Sequence, residues 1–167
     1  MIFNALRYAV ADGIRAKMPA LADVATHAGR FDLAELKRIA TKTPCVRVAV
    51  LGAPEVESIG SGEREVRLRM AAYIVTTDRR GLARDDSALA IVCALCDLVP
   101  DNTWSTRGAH PAQRVSADNL FSGTLDRGAV ALWAVSWEQT VRIGEDMWIE
   151  DGVLPTDVYA NDEEVAA

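Results

Sequence analysis

The sequence has no apolar run approaching the roughly 18 residues that a helix needs to span a bilayer. Its first residues, Met1-Ile2-Phe3-Asn4, lack the basic start and the apolar stretch of a signal peptide. Only three cysteines and two histidines occur among the 167 residues. These absences argue against membrane and secreted proteins, so we expect a protein of a reducing cytosol with no membrane partner.

Basic residues are missing from the end of the chain. All 18 of them lie at or before Arg142, whereas residues 143–167 hold eight acidic side chains and no basic one. The net charge of −6 therefore divides into +2 for residues 1–142 and −8 for the remainder. A near-neutral body with an acidic extension is a poor nucleic-acid ligand, because tight binding needs several net contacts that neutralise phosphates.

Length and composition predict one folded domain. Half of the residues are apolar and a quarter are charged, as in globular proteins. A chain of this length can bury roughly 69% of its unfolded surface without disulfides or a metal. We expect a single α+β domain over residues 1–144, followed by an acidic C-terminal extension over residues 145–167.

Three segments show the apolar spacing of helices. They cover residues 3–18, residues 33–40 and residues 85–99. Asp32 is the predicted N-cap of the second helix, and Asp85 or Asp86 is that of the third. Residues 20–31 show no clear pattern, and a short helical turn is the structure that we expect there.

Four segments have the composition and alternation of strands. They cover residues 45–51, residues 63–77, residues 114–121 and residues 128–142. Gly52–Gly62 is the predicted flexible connection between the first two. Strand 63–77 would reach about 50 Å, so we expect it to project past the sheet with its partner as an arm. The order α-α-β-β-α-β-β predicts an antiparallel or mixed sheet with helices packed on one face.

Strand 128–142 is apolar on both of its faces. Its apolar side chains are Val130, Leu132 and Ala134 on one face and Trp133, Val135 and Trp137 on the other. One helix layer covers only one face of a sheet, so we expect a second chain to cover the other face.

Signals for chemistry are sparse. Cys93-x-x-Cys96 has no second pair and no nearby histidine that could complete a zinc site, and it lies in an apolar helical segment. We therefore predict two buried structural thiols in a third helix that also buries Leu89. His110 belongs to no motif for nucleophilic catalysis, and glycine patterns that bind nucleotides are missing. We expect no catalytic residue, metal or cofactor; a cytosolic enzyme that uses Cys93 and Cys96, or His110, is the less favoured alternative.

Arg79, Arg80 and Arg84 lie in one predicted loop, together with three aspartates. Three arginines in a loop are a weak signal for nucleic-acid binding when acidic neighbours balance them. A solvated patch or a protein interface is the favoured interpretation.

Two stretches of sequence carry a resemblance to a known family. The first runs through Asn119-Leu120-Phe121, Leu125-Asp126-Arg127-Gly128, Leu132, Trp133, Trp137-Glu138-Gln139 and Gly144. The second joins residues 70–76, Met-Ala-Ala-Tyr-Ile-Val-Thr, to residues 86–89, which open an apolar helix. With the leading helix, they resemble over residues 1–144 the small tail proteins of Mu-like phages and prophages. These proteins look like tail terminators, related in fold to the lambda-type tail terminator.

The resemblance implies a structural virion protein, assembled in the host cytoplasm, at the head-proximal end of the tail. It implies a hexameric ring that caps the tail tube, stops its polymerisation and presents a surface to a neck or head-completion protein. Genomic DNA would pass through the lumen without specific binding, because negative charge repels its backbone. Another neck or head–tail joining protein of the same fold is the alternative. The candidate contacts with subunits or tube are Arg67, Arg69, Arg79, Arg80, Arg84, Trp133, Trp137, Trp148 and Tyr159.

Overall fold

The computed structural model describes residues 1–29, 42–120 and 129–145, and the backbone of residues 158–160 and 163–165. Its elements, in chain order, are α1 (Ile2–Lys17), β1 (Asp23–His27), β2 (Cys45–Ser58), β3 (Arg64–Thr77), α2 (Arg84–Leu98), β4 (Gln113–Asn119), β5 (Val130–Ile143), β6 (Val158–Ala160) and β7 (Glu163–Val165). The chain is α+β, as the sequence predicts. The predicted helix over residues 33–40 lies outside the described residues.

A mixed five-stranded sheet in the order β1-β2-β3-β5-β4 forms the centre of the fold. β1 pairs parallel to β2, and the other neighbours are antiparallel. The long central strand β3 pairs with β5 over its full length, from Arg64 opposite Ile143 to Thr77 opposite Val130. The predicted projecting arm is therefore wrong. Because β5 is as long as β3, the far half of β3 stays inside a three-stranded part of the sheet.

Two segments differ from their predicted structure. Within residues 20–31 the chain forms the strand β1 and not a helical turn, because parallel pairing with β2 satisfies its backbone and Val24 is buried. Most of the predicted connection Gly52–Gly62 belongs to β2, which continues to Ser58. Register shifts between Val50 and Glu55 accommodate this irregular part of the strand.

The core between helices and sheet has the predicted composition. On α1, Leu6, Val10 and Ile14 recur at helical spacing and are fully buried. α2 adds Ile91 and Leu95 to the same cluster. The β3 residues that they cover alternate along the strand as predicted: Val66, Leu68, Met70, Ala72 and Ile74. Both described helices therefore pack on one face of the sheet.

The orientation of α2 differs from the prediction. Its N-cap is Ala83, and Asp85 and Asp86 lie in its first turn, where they stabilise the positive end of the helix dipole. Leu89 and Cys96, which the sequence places inside, are exposed. Residues 87–96 carry no charge, so apolar spacing alone could not distinguish the inner face of this helix from the outer one.

Candidate interaction surface

The sheet face opposite α1 and α2, called the distal face below, consists of two unlike halves. Its apolar half contains Cys45, Ala49, Ala71, Tyr73, Val75, Val130, Leu132 and Ala134. Its charged half contains Glu55, Glu65, Arg67, Arg69, Glu138, Thr140 and Arg142, which continue the same alternation along β2, β3 and β5. One face thus changes from apolar to charged within single strands.

The apolar half is buried within one chain. Each of its eight side chains is at most 8% exposed. Trp133 and Trp137 point to the helix side instead, where Trp137 is a core residue with 2% exposure and Trp133 is half-buried. The two apolar faces of this strand occur as predicted, but both are buried in a single protomer. Uncovered sheet area therefore gives no argument for a second chain.

A buried ion pair lies beside the apolar half. Arg47, in β2, is 6% exposed, and its Nη2 lies 2.6 Å from Oδ2 of Asp23 in the neighbouring strand β1. Its other terminal nitrogen donates a 3.1 Å hydrogen bond to the carbonyl oxygen of Val46. Next to it, burial raises the pKa of the Cys45 thiol to about 11, and the charge of Arg47 opposes that shift.

Ion pairs connect three strands in the charged half. Arg67, in β3, lies 2.5 Å from a carboxylate oxygen of Glu55 in β2 and 3.7 Å from one of Glu138 in β5. Arg114, in β4, donates a 3.0 Å hydrogen bond to the same Glu138 oxygen. At the sheet end, a hydrogen bond that protonated Glu57 donates to the Glu55 carboxylate, together with the charge of Glu55, raises the pKa of Glu57. Carboxylates and guanidinium groups therefore alternate across this surface.

A second pair of contacts surrounds Glu65. Its Oε1 accepts a 3.1 Å hydrogen bond from Nε of Arg142 and lies 3.3 Å from Nε2 of His110. A polar pocket of about 230 Å³ separates this carboxylate from Glu138, with Thr140 in its wall. All of these groups are partly exposed, so water competes for the same contacts.

A buried amide holds His110 and its loop against β5. Gln139 is fully buried, and its Oε1 accepts hydrogen bonds from the indoles of Trp104 at 3.2 Å and Trp137 at 3.1 Å. Its Nε2 donates to the carbonyl oxygens of Asn102, at 3.0 Å, and His110. The loop before β4 is thereby fixed by residues of the core, and His110 is positioned at the rim of the charged half.

The residues of the alternative enzyme hypothesis do not form a recognisable centre. The prediction of buried thiols is wrong, because Cys93 and Cys96 are exposed on α2. His110 instead lies beside Glu65, on the distal face of the sheet. Among residues 1–29, 42–120 and 129–145, no group of three or more His, Cys, Asp or Glu side chains is suited to hold a metal ion. No helix in the described part of the chain is long and apolar enough to cross a membrane.

The structure divides the predicted arginine contacts into two groups. Arg67 and Arg69 lie in the charged half, whereas Arg79, Arg80 and Arg84 lie beyond the opposite end of β3. The length of that strand separates the groups by roughly 30 Å. Trp148 lies outside the described residues, and Tyr159 belongs to β6, of which only the backbone is described.

Sequence reasoning missed the acidic partners of the charged half. Glu55, Glu65 and Glu138 occupy alternate positions with Arg67 and Arg142. The recurrence of charged residues at every second position was the sequence signal that could have revealed them. The partners themselves depend on the pairing register, which the β2 irregularity shifts.

A protein-family model described as Bacteriophage Mu, Gp37 matches residues 2–141. The chain belongs to the Bacteriophage Mu Gp37 family. The Mu Gp37 match extends from α1 into β5 and therefore includes the core and most of both halves of the distal face. Membership indicates a structural protein of a Mu-like phage that is made in the host and is associated with the virion. It also favours a non-catalytic role. A comparison with curated proteins gives no match.

Proposed function

We propose that this Mu Gp37 family member is a tail terminator, which assembles into a hexameric ring on the end of the tail tube. The ring stops polymerisation of the tube protein and presents its other side to a neck or head-completion protein. The single observation that supports this function best is the family match over residues 2–141.

The surface of the protomer is compatible with a closed ring. A ring requires a heterologous interface, in which one surface of each subunit fits a different surface of the next. The charged half of the distal face, around Arg67 and Glu138, is one such surface. The exposed side of α2, with Leu89, is chemically unlike it and lies on the helix side of the sheet. Two unlike surfaces on one chain support ring assembly over a symmetric dimer.

Charge supports a passage for DNA without specific binding. The chain carries −6, and Arg67 and Arg142 of the charged half pair with carboxylates of the same chain. A phosphate backbone gains little from cations that are already paired, and the net charge repels it. We therefore place the ring around the DNA path at the head-proximal end of the tail.

The deciding experiment is the phenotype of a phage that lacks this gene product. A tail terminator limits tube length, so its loss is expected to give tails of uncontrolled length in electron micrographs. Loss of a joining protein would leave finished tails of normal length that fail to attach to heads, which would support the alternative and contradict our proposal.

Electron microscopy and light scattering of the purified protein test the assembly separately. We expect rings of about six subunits, or rings that form when tube protein is added. A stable monomer under both conditions would contradict the ring.

A further inference from the structure

An apolar groove lies where the end of α1, the start of α2 and the β3–α2 loop meet. It has a volume of about 440 Å³. Its apolar lining includes Met18, Leu21, Pro44, Leu82, Ala90 and Ile91. Leu82, a large apolar side chain of the β3–α2 loop, is 46% exposed at this groove. We call this feature the helix-end groove.

The outer face of α2 continues the groove. Leu89, next to it on that helix, is 49% exposed, and Ala90 and Cys93 are exposed as well. A surface helix ordinarily carries polar side chains on its outer face. Residues 87–96 are uncharged, so between Asp86 and Asp97 this outer face carries no charged side chain. Contiguous apolar surface of this kind marks a protein contact.

The rim of the groove has mixed charge with a basic excess. Lys17 and Arg79 line it, with Asp86 as the acidic member. Arg80 is exposed in the adjoining loop. Asp78, whose carboxylate accepts a 3.0 Å hydrogen bond from the backbone N–H of Arg84, and the exposed Asp85 carry negative charge nearby, so the basic excess is confined to the residues that line the groove. A ligand that is both apolar and acidic therefore fits this site.

The C-terminal extension of the same sequence has that chemistry. Residues 145–167 carry eight acidic side chains and no basic one. Apolar side chains interrupt the acidic ones in three places: Met147-Trp148-Ile149, Val153-Leu154 and Val158-Tyr159. The first of these is the most apolar, and acidic residues border it on both sides.

Distance decides which copy supplies the segment. The start of α1 lies beside the end of β5, since Ile2, Phe3, Ile143 and Gly144 line a common pocket. The 16 residues of α1 span about 24 Å from there to the helix-end groove. Trp148 follows Gly144 by four residues, which reach about 14 Å when fully extended. Trp148 therefore cannot reach the groove of its own chain.

We propose that the helix-end groove binds the Met147-Trp148-Ile149 segment of a neighbouring copy of this chain. The donor segment leaves one end of the protomer, and the acceptor groove lies at the other. Such a contact is heterologous and repeats from subunit to subunit, as a ring requires. The inference deepens the proposed function and rests on its self-assembly.

Two full-length variants test the contact from both sides. Leu89→Glu places a charge on the outer face of α2 beside the groove, and Trp148→Glu removes the central apolar side chain of the segment. Both are expected to weaken self-association by on the order of tenfold or more, because each opposes burial of an apolar anchor. Tyr8→Glu is the matched control, since Tyr8 is 55% exposed on α1, away from the groove. It should assemble like the wild type. Sedimentation velocity measures assembly, and circular dichroism checks that each variant is folded.

Mixing the variants sharpens the test. Leu89→Glu retains an intact segment and Trp148→Glu an intact groove, so a 1:1 mixture should form heterodimers that cannot extend further. Failure to form this pair would overturn the groove contact, as would variants that assemble like the wild type or a control that dissociates as strongly. Those results would not contradict the proposed hexameric ring. A wild-type monomer that also fails to assemble with tube protein would instead reject the proposed function.

Discussion

The two halves of the distal face share the same strands and the same alternation, yet they are stabilised differently. In the apolar half, side chains such as Leu132 and Val75 are removed from water, which contributes about 25 cal/mol for each Å² of apolar surface. In the charged half, Arg67 and Glu138 remain in contact with solvent, where an ion pair contributes about 0–1 kcal/mol. One half therefore stabilises the fold, whereas the other contributes little to stability and stays accessible to solvent.

Two arginines of the sheet show the same contrast at the level of single contacts. The side chains of Arg47 and its partner Asp23 are 7% and 29% exposed, whereas those of Arg67 and Glu55 are 36% and 40% exposed. The N–O distances, 2.6 and 2.5 Å, are nearly equal. Similar geometry therefore has different energetic consequences, because loss of a partner leaves a buried charge in one case and a solvated charge in the other.

The largest difference in unfolding free energy is expected between a carboxylate introduced into the apolar half and one introduced into the charged half. Leu132→Asp should cost more than about 4 kcal/mol of unfolding free energy, because it removes apolar burial and desolvates a charge. Thr140→Asp, on the same strand and face, should change it by less than about 1 kcal/mol, since Arg67 lies opposite. Urea unfolding measures both variants. Equal losses would show that the halves do not differ as described.

A smaller difference in unfolding free energy is expected between loss of the partner of Arg47 and loss of a partner of Arg67. Asp23→Ala leaves Arg47 buried without its carboxylate and should cost about 3 kcal/mol. Glu55→Ala should cost less than about 1 kcal/mol. Adding Arg47→Met to Asp23→Ala is the control, and it should restore part of the loss in urea unfolding. If no stability returns, the buried charge is not the cause.

Alkaline pH tests burial in the apolar half through the Cys45 thiol, with the ion pairs left unchanged. Below about pH 9 the Cys45 thiol is protonated in both folded and unfolded chains. Between pH 9 and about 11 only the unfolded chain ionises it, so folding stability falls, by up to about 3 kcal/mol above pH 11. The difference between wild type and Cys45→Ala in unfolding experiments from pH 8 to 11 isolates this contribution. A constant difference would contradict burial of the thiol.

The smallest effect concerns the charged half alone. Glu55→Gln removes the charge of Glu55, which helps to raise the pKa of Glu57, and should move that pKa down toward its ordinary value. NMR titration of the Glu57 side chain measures the change. Because Glu57 is exposed, we expect its titration to leave the unfolding transition nearly unchanged. Glutamine keeps an acceptor oxygen for the hydrogen bond, so an unaltered pKa in the variant would show that the charge of Glu55 is not a cause.

Much of the architecture could be predicted from local patterns. The faces of β3 and β5 are confirmed, from the buried Val66 and Ile74 to the opposed Leu132 and Trp133, because alternation in a strand is a property of neighbouring residues. The strand β1 was missed since parallel pairing with β2 stabilises it through partners that are 22 positions apart in the chain. The exposure of Cys96 could not be predicted from an apolar helical segment without a polar face.

The candidate surface was predictable only in part. Arg67 was recognised from its position on the charged side of a long strand. Its partners Glu55 and Glu138 belong to other strands, so their identity depends on register and on the irregular pairing of β2. The predicted arginines separate into two distant groups because most of the extended strand β3 lies between them.

By itself, the sequence determined the α+β character, the lengths of β3 and β5 and the concentration of negative charge after Arg142. These follow from periodicity, composition and position, which are local properties of a chain. Only the tertiary structure decided that the apolar parts of both sheet faces are buried in one protomer, that Arg47 is enclosed while Arg67 is partly exposed, and that Leu89 and Cys96 lie on the uncovered side of α2. Burial and pairing depend on residues that are distant in the chain and meet only when the sheet has formed.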